Sequence, residues 1–262
     1  MKQQKIILSV ILSLISHWIW AGNKTSSVLA QGDWYKIAVS TSGVYKIDKD
    51  FLNDLGINVN KINPKNIKIY GSGGNMLPQS LAETRYDDLE ENAITVVGED
   101  DASFDDADYV LFYAQGPHSL NANTSTKQFS HTYNVYSDNA YYFLTIGETQ
   151  GKRVPIASNP STSDQTITSF TEYVFHEKDE YSIIISGREW FGEKFDNFTT
   201  TQTVNLPITD IIDDATIKIQ TVAKATKQSP KFSISLNNQL IGNVSIGISS
   251  AGYGTKARSN TT

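Results

Sequence analysis

Four short hydrophobic runs in this chain each close on glycine, and they restrict the fold more than any other feature. They are "NIKIYGSGG" (66–74), "AITVVG" (93–98), "DYVLFYAQG" (108–116) and "YYFLTIG" (141–147). Each is too short for a buried helix and rich in β-branched or aromatic residues, which suit a pleated surface. Glycine then supplies the turn geometry that other residues resist. The runs predict strands joined by tight, polar connections.

The same reading extends in both directions. "WYKIAVSTSGVYKI" (34–47) predicts two strands around a bend at Ser42-Gly43, with Tyr35, Ile37 and Val39 on one face. "DKDFLNDLG" (48–56) breaks the pattern. Asp48 is placed to cap a short helix near 49–55, Phe51, Leu52 and Leu55 share its face, and Gly56 stops it. Further on, "ATIKIQTVA" (215–223) and "KFSISL" (231–236) alternate with period two. Asn237-Asn238 then stands where a tight hairpin into "QLIGNVSI" needs left-handed angles. The expected fold class is mainly β: two consecutive antiparallel β-domains, the second a jelly-roll or immunoglobulin-like sandwich, with that single short helix and an N-terminal signal helix.

Domain limits follow from composition. Lys2 and Lys5 precede the apolar stretch "IILSVILSLISHWIWA", which exits on Ala21-Gly22. A basic head, an apolar core and a small-residue exit mark residues 1–21 as a secretory signal peptide. A retained membrane anchor would be longer and followed by basic residues. The first β-rich domain is expected over 22–150. Pro155, Pro160 and the Ser/Thr cluster make 151–164 a linker. The second domain spans 165–262. Its final stretch, "GISSAGYGTKARSNTT", carries no closing strand pattern, so the chain reads as the N-terminal piece of a longer protein.

Chemistry is excluded more readily than assigned. The 262 residues include no cysteine, which removes disulfides, thiolate metal sites and a cysteine nucleophile. A net charge of −6 argues against nucleic acid as a partner. The glycine loop 70–74 lacks a GxGxxG pattern or a phosphate-loop lysine, and Pro78 interrupts any following helix, so it reads as a tight turn. Glu99, Asp100, Asp101, Asp105, Asp106 and Asp108 crowd one connection. Their spacing does not fit an EF-hand, and a solvated loop is expected in preference to a calcium site. His118, His131 and His176 lack a second histidine at metal-ligand spacing. No catalytic, metal-binding or cofactor-binding residue is assigned, and no cofactor is expected.

"SGREWFGEKF" (186–195) is the most chemically mixed stretch. Glu189 and Glu193 are conceivable as an acid–base pair, but Arg188 beside Glu189 would more simply neutralise them. Trp190, Phe191 and Phe195, with Gly187 and Gly192, read as a packed crossover in which Trp190 is mainly buried.

Taken in order, "WYKIAVSTSGVYKI", "NPKNIKIYGSGGNMLP", "DYVLFYAQGPH", "YYFLTIG" and "HEKDEYSIIISGREWFGEKF" resemble the N-terminal region of the PorU family. These are the gingipain-like sortases of the type IX secretion system of Bacteroidetes. The resemblance covers about residues 27 to 245. It implies a cysteine peptidase domain with a His/Cys dyad lying beyond Thr262, and a place at the outer-membrane surface. It also implies an outer-membrane β-barrel partner of PorV type. The cargo would be secreted proteins whose C-terminal sorting signals are removed and which are attached to the cell surface. The residues alone leave open a different reading, an exported adhesin or carbohydrate-binding β-sandwich protein without enzymatic activity.

Overall fold

The computed structural model describes residues 26–126, 128–158, 166–183, 189–225, 227–249 and 258–261. The expected signal peptide, residues 159–164 of the expected linker, and Gly187 and Arg188 lie outside the described residues. Among the described residues the protein is mainly β, with one α-helix. In chain order the elements are β1 (Tyr35–Val39), β2 (Gly43–Asp48), α1 (Lys49–Asp54), β3 (Ile67–Tyr70), β4 (Glu91–Asn92), β5 (Thr95–Val97) and β6 (Tyr109–Ala114). There follow β7 (Ser119–Asn123), β8 (Gln128–Thr132), β9 (Ala140–Ile146), β10 (Gln220–Ala223), β11 (Lys231–Leu236), β12 (Gln239–Ser245) and β13 (Arg258–Thr261). Two compact units are formed, one from 1–119 with 136–158 and the other from 120–135 with 159–262.

The first unit holds a four-stranded sheet in the order β1-β9-β3-β4 and a three-stranded sheet in the order β2-β6-β5. All of these pairings are antiparallel. The bend at Ser42-Gly43 does not close a hairpin. It passes the chain from one sheet to the other, so β1 pairs with β9 while β2 pairs with β6. Alternation does the rest: Val110, Phe112 and Ala114 of β6 point inward, as do Ile67 and Ile69 of β3 and Tyr142 and Leu144 of β9. Both sheets therefore share one apolar core, and each fully buried large side chain in it contributes roughly 1.5–3 kcal/mol. Helix α1 adds Leu52 to that core. The Phe51 N–H donates to Asp48 Oδ1 at 3.1 Å, so the cap is the one expected, and Gly56 follows the last turn.

In the second unit the described strands pair as three two-stranded ribbons: β7 with β8, β10 with β13, and β11 with β12. These ribbons do not by themselves make the two packed sheets of a jelly roll. Asn237 and Asn238 sit at φ 49° and 66° and close the β11–β12 hairpin, as their side chains allow. Of "ATIKIQTVA" only Gln220–Ala223 becomes a strand, because that is the part paired with β13. Among the described residues between 166 and 219 the one β-contact is an isolated antiparallel bridge between Tyr181 and Phe191.

Candidate functional site

The acidic connection between β5 and β6 is more tightly built than a solvated loop. Val97 pairs with Tyr109, so residues 98–108 cap one end of the three-stranded sheet. Phe104 turns inward and is 2% exposed. The Asp105 N–H donates to Asp108 Oδ2 at 2.7 Å, and Asp108 is buried. Glu99 meets Arg153, whose Nη2 lies 2.7 Å from Oε2, and both side chains are largely covered. The same Nη2 donates to the Lys65 carbonyl at 2.7 Å and the Pro64 carbonyl at 3.2 Å. Asp106 pairs with Lys49 at 2.6 Å. That hydrogen bond, and then the ammonium charge, hold the Asp106 carboxyl below the usual range. Asp101 and Asp105 behave as local loop carboxylates, accepting from the Ser103 N–H and Ser103 Oγ respectively. The expectation of a plain surface loop is thus corrected for Glu99, Phe104 and Asp108. Glu99 finds its partner 54 residues away and Phe104 packs into the core, neither with a local signal in the sequence, whereas Asp108 is held by the nearby Asp105 N–H.

The glycine loop is a packing device. Gly71 lies on the Tyr142 ring, and Gly74 faces the Gly116 carbonyl and the Ala140 Cβ. A methyl group at either position would overlap these neighbours. The Gly71 N–H is taken by the Glu90 carbonyl at 2.9 Å. Around this contact the Gln115 N–H donates to the Tyr142 hydroxyl at 2.7 Å, which donates in turn to the Gln115 carbonyl at 3.1 Å. The Gly116 N–H donates to Ser42 Oγ at 2.9 Å, and Gln115 Nε2 to Asn75 Oδ1 at 3.1 Å. Burial pushes the Tyr142 phenol up, with the Gln115 backbone bond opposing. "YGSGG", the Ser42 bend and "AQGPH" thus converge on one close backbone junction.

The mixed stretch holds a polar cluster centred on Glu193. Its Oε1 lies 2.7 Å from His176 Nε2 and 3.4 Å from Lys178 Nζ. Burial alone would raise the Glu193 carboxyl. The hydrogen bonds and charges of His176 and Lys178 outweigh it and hold the group below the usual range. Gly192 permits this approach, since a Cβ there would lie 2.9 Å from the Lys178 Cβ and 3.2 Å from its carbonyl oxygen. Trp190 is 42% exposed, which corrects the expectation of burial. Phe195 makes an edge contact with Phe232 at 5.3 Å between ring centroids.

The other histidines are placed elsewhere. His131 of β8 stacks on Phe175 at 3.4 Å between centroids, beside a stack of Phe129 on Tyr173. His118 is partly exposed in the first unit. Among the described residues no group of three or more His, Cys, Asp or Glu side chains is arranged to hold a metal ion. Nor is any helix among them long and apolar enough to cross a membrane. With no cysteine in the chain, it contains no catalytic cysteine.

Fold and sites together define a mainly β protein of two compact units. No family model matches the chain, and no curated protein matches it. Among solved structures it is similar to dimeric latent PorU from Porphyromonas gingivalis, with a TM-score of 0.56 and 24% sequence identity. That similarity covers 92% of this chain and 22% of the PorU chain, so the chain spans about a fifth of that protein's length. The resemblance carried by the five ordered segments is borne out at the level of fold.

Proposed function

We propose that this chain is the non-catalytic N-terminal region of a type IX secretion system sortase, a gingipain-like cysteine peptidase. The whole protein would remove C-terminal sorting signals from secreted cargo and attach the cargo to the cell surface. The region would be exported, lie at the outer-membrane surface, and position its own downstream peptidase domain against a β-barrel partner of PorV type. The fold similarity to PorU over 92% of the chain is the observation that carries this reading. The missing thiol fits it, because acyl transfer by such an enzyme starts from a cysteine thiolate supplied elsewhere.

The test has two arms. The coding sequence downstream of Thr262 is expected to encode a domain with the Cys and His of a gingipain-like dyad. Deleting residues 26–249 from that full-length protein should abolish cargo processing in cells, while the purified chain alone turns over no peptide. A downstream sequence without such a domain, or peptide turnover lost on mutating a residue of this chain, would contradict the reading. The exposure of Trp190 favours one alternative, an exported adhesin or carbohydrate-binding protein in which this indole stacks on a sugar ring. Glycan binding that Trp190→Ala abolishes, with the melting temperature unchanged, would establish that alternative.

A further inference from the structure

From Thr216 to Thr262 the chain carries Lys218, Lys224, Lys227, Lys231, Lys256 and Arg258 and neither Asp nor Glu. All 28 acidic residues of a chain with net charge −6 therefore lie upstream. The ion pairs follow the same division. Among the described residues Lys46, Lys49, Arg153, Lys178 and Lys194 each meet a carboxylate. Lys218, Lys224, Lys227 and Lys231 are exposed, and no described carboxylate pairs with them. A merely solvated surface intersperses both signs of charge, and this segment does not.

The fold gathers these charges. Lys224 and Lys227 lie on the connection from β10 to β11, and Lys231 opens β11. The connection is tied at both ends to the chain around the end of β12. The Ser249 N–H donates to the Ala225 carbonyl at 2.7 Å, and the Ile246 N–H to the Pro230 carbonyl at 2.9 Å. The pairing of β10 with β13 sets Arg258 opposite Ala223, one residue from Lys224. Ile248, 45% exposed, stands next to the Ser249 tie. Three ammonium groups and an exposed aliphatic side chain thus share one held stretch of backbone.

Lysine outnumbers arginine here, and that bears on the partner. Protein interfaces enrich arginine and aromatic residues and deplete lysine. Single-stranded nucleic acid stacks its bases on aromatic faces, but the one aromatic residue of β10, β11 and β12, Phe232, is turned to Phe195. A bilayer bearing phosphate headgroups is attracted by several ammonium groups at one place and accepts a small apolar residue at its boundary. We propose that the β10–β11 connection is a docking site for an anionic lipid bilayer, with Lys224, Lys227 and Lys231 against the headgroup phosphates. The inference does not depend on the sortase reading.

Co-sedimentation with lipid vesicles tests it, using the chain without residues 1–21 so that the apolar leader cannot itself partition. Binding is expected to vesicles of phosphatidylglycerol mixed with phosphatidylcholine and not to phosphatidylcholine alone. It should fall steeply between about 0.05 and 0.2 M salt, as the attraction is screened. Lys231→Gln should weaken binding about fivefold, and Lys224→Gln, Lys227→Gln and Lys231→Gln together roughly a hundredfold. Arginine at the same three positions should retain it. Lys61→Gln removes the same charge from an exposed position of the first unit and should change nothing. No binding to the mixed vesicles, or equal losses from Lys61→Gln and Lys231→Gln, would overturn the proposal. So would displacement by inorganic phosphate at matched ionic strength, which would assign a free-anion site, or tighter binding to polyglutamate than to vesicles, which would assign an acidic protein partner.

Discussion

"FYAQGPH" in the first unit and "SGREWFGEKF" in the second both mix large aromatics with glycine, and both belong to the segments that resemble the PorU family. Their surroundings are opposite. Phe112, Ala114, Gly116 and Pro117 are buried, and Gly116 is locked against Ser42 and the Gly74 backbone. Trp190 and Phe195 remain exposed, and Phe191 is held mainly by one bridge. The same contrast runs through the two units. Residues of both sheets of the first meet in one core, whereas the apolar side chains buried among the described residues of the second are Val244 and Ile246. Similar composition therefore yields a locked junction where strands from distant parts of the chain cover each other, and a displayed surface where they do not.

The largest effect expected of breaking this contrast is at the acidic connection. Phe104→Ala should destabilise the first unit by about 3–5 kcal/mol in urea unfolding, as for a fully buried aromatic. Phe198→Ala, at a side chain 97% exposed, should stay within about 0.5 kcal/mol. A comparable loss at both sites would break the comparison. Next comes the backbone junction. Gly74→Ala forces a methyl onto the Gly116 carbonyl, which cannot swing away as a side chain would, and should cost about 3 kcal/mol. Gly242→Ala has nothing within 4 Å of the new methyl and should be nearly silent in the same assay.

Arg153→Ala removes one partner of a largely covered ion pair and leaves the Lys65 carbonyl without its guanidinium donor. A loss of about 2 kcal/mol is expected. Trp190→Ala should cost about 1 kcal/mol, in proportion to a half-exposed indole. A loss as large as that of Phe104→Ala would mean that the second signature is core after all. The smallest effects belong to Asp101→Asn and Asp105→Asn, within about 0.5 kcal/mol each. Calcium at millimolar concentration should leave the melting temperature unchanged, because Glu99, Asp106 and Asp108 are already engaged by Arg153, Lys49 and the Asp105 N–H.

What the sequence discloses is local. The Asp48 cap, the stop at Gly56, the shared face of Tyr35, Ile37 and Val39 and the Asn237-Asn238 turn all depend on residues a few positions apart, and each stands as expected. Pairings over long separations are hidden. Nothing in "WYKIAVSTSGVYKI" says that its two strands enter different sheets, or that β9 will lie between β1 and β3. The same blindness affected the sites. Glu99 reads as a solvated carboxylate until Arg153 is brought to it, and nothing near Glu193 points to His176, 17 residues away. Glycines flanking Trp190 declared a turn but could not declare what, if anything, would cover the indole.

The contrast between locked and displayed signatures is most directly tested by thiol labelling, for which the absence of native cysteine is an advantage. Ala114→Cys and Trp190→Cys each place a single thiol in one signature, the first at a fully buried position of β6. Native-state labelling of Cys at 114 should require unfolding of the first unit and run at least about a thousandfold slower than at 190. Labelling of the two thiols at comparable rates under native conditions would contradict the account.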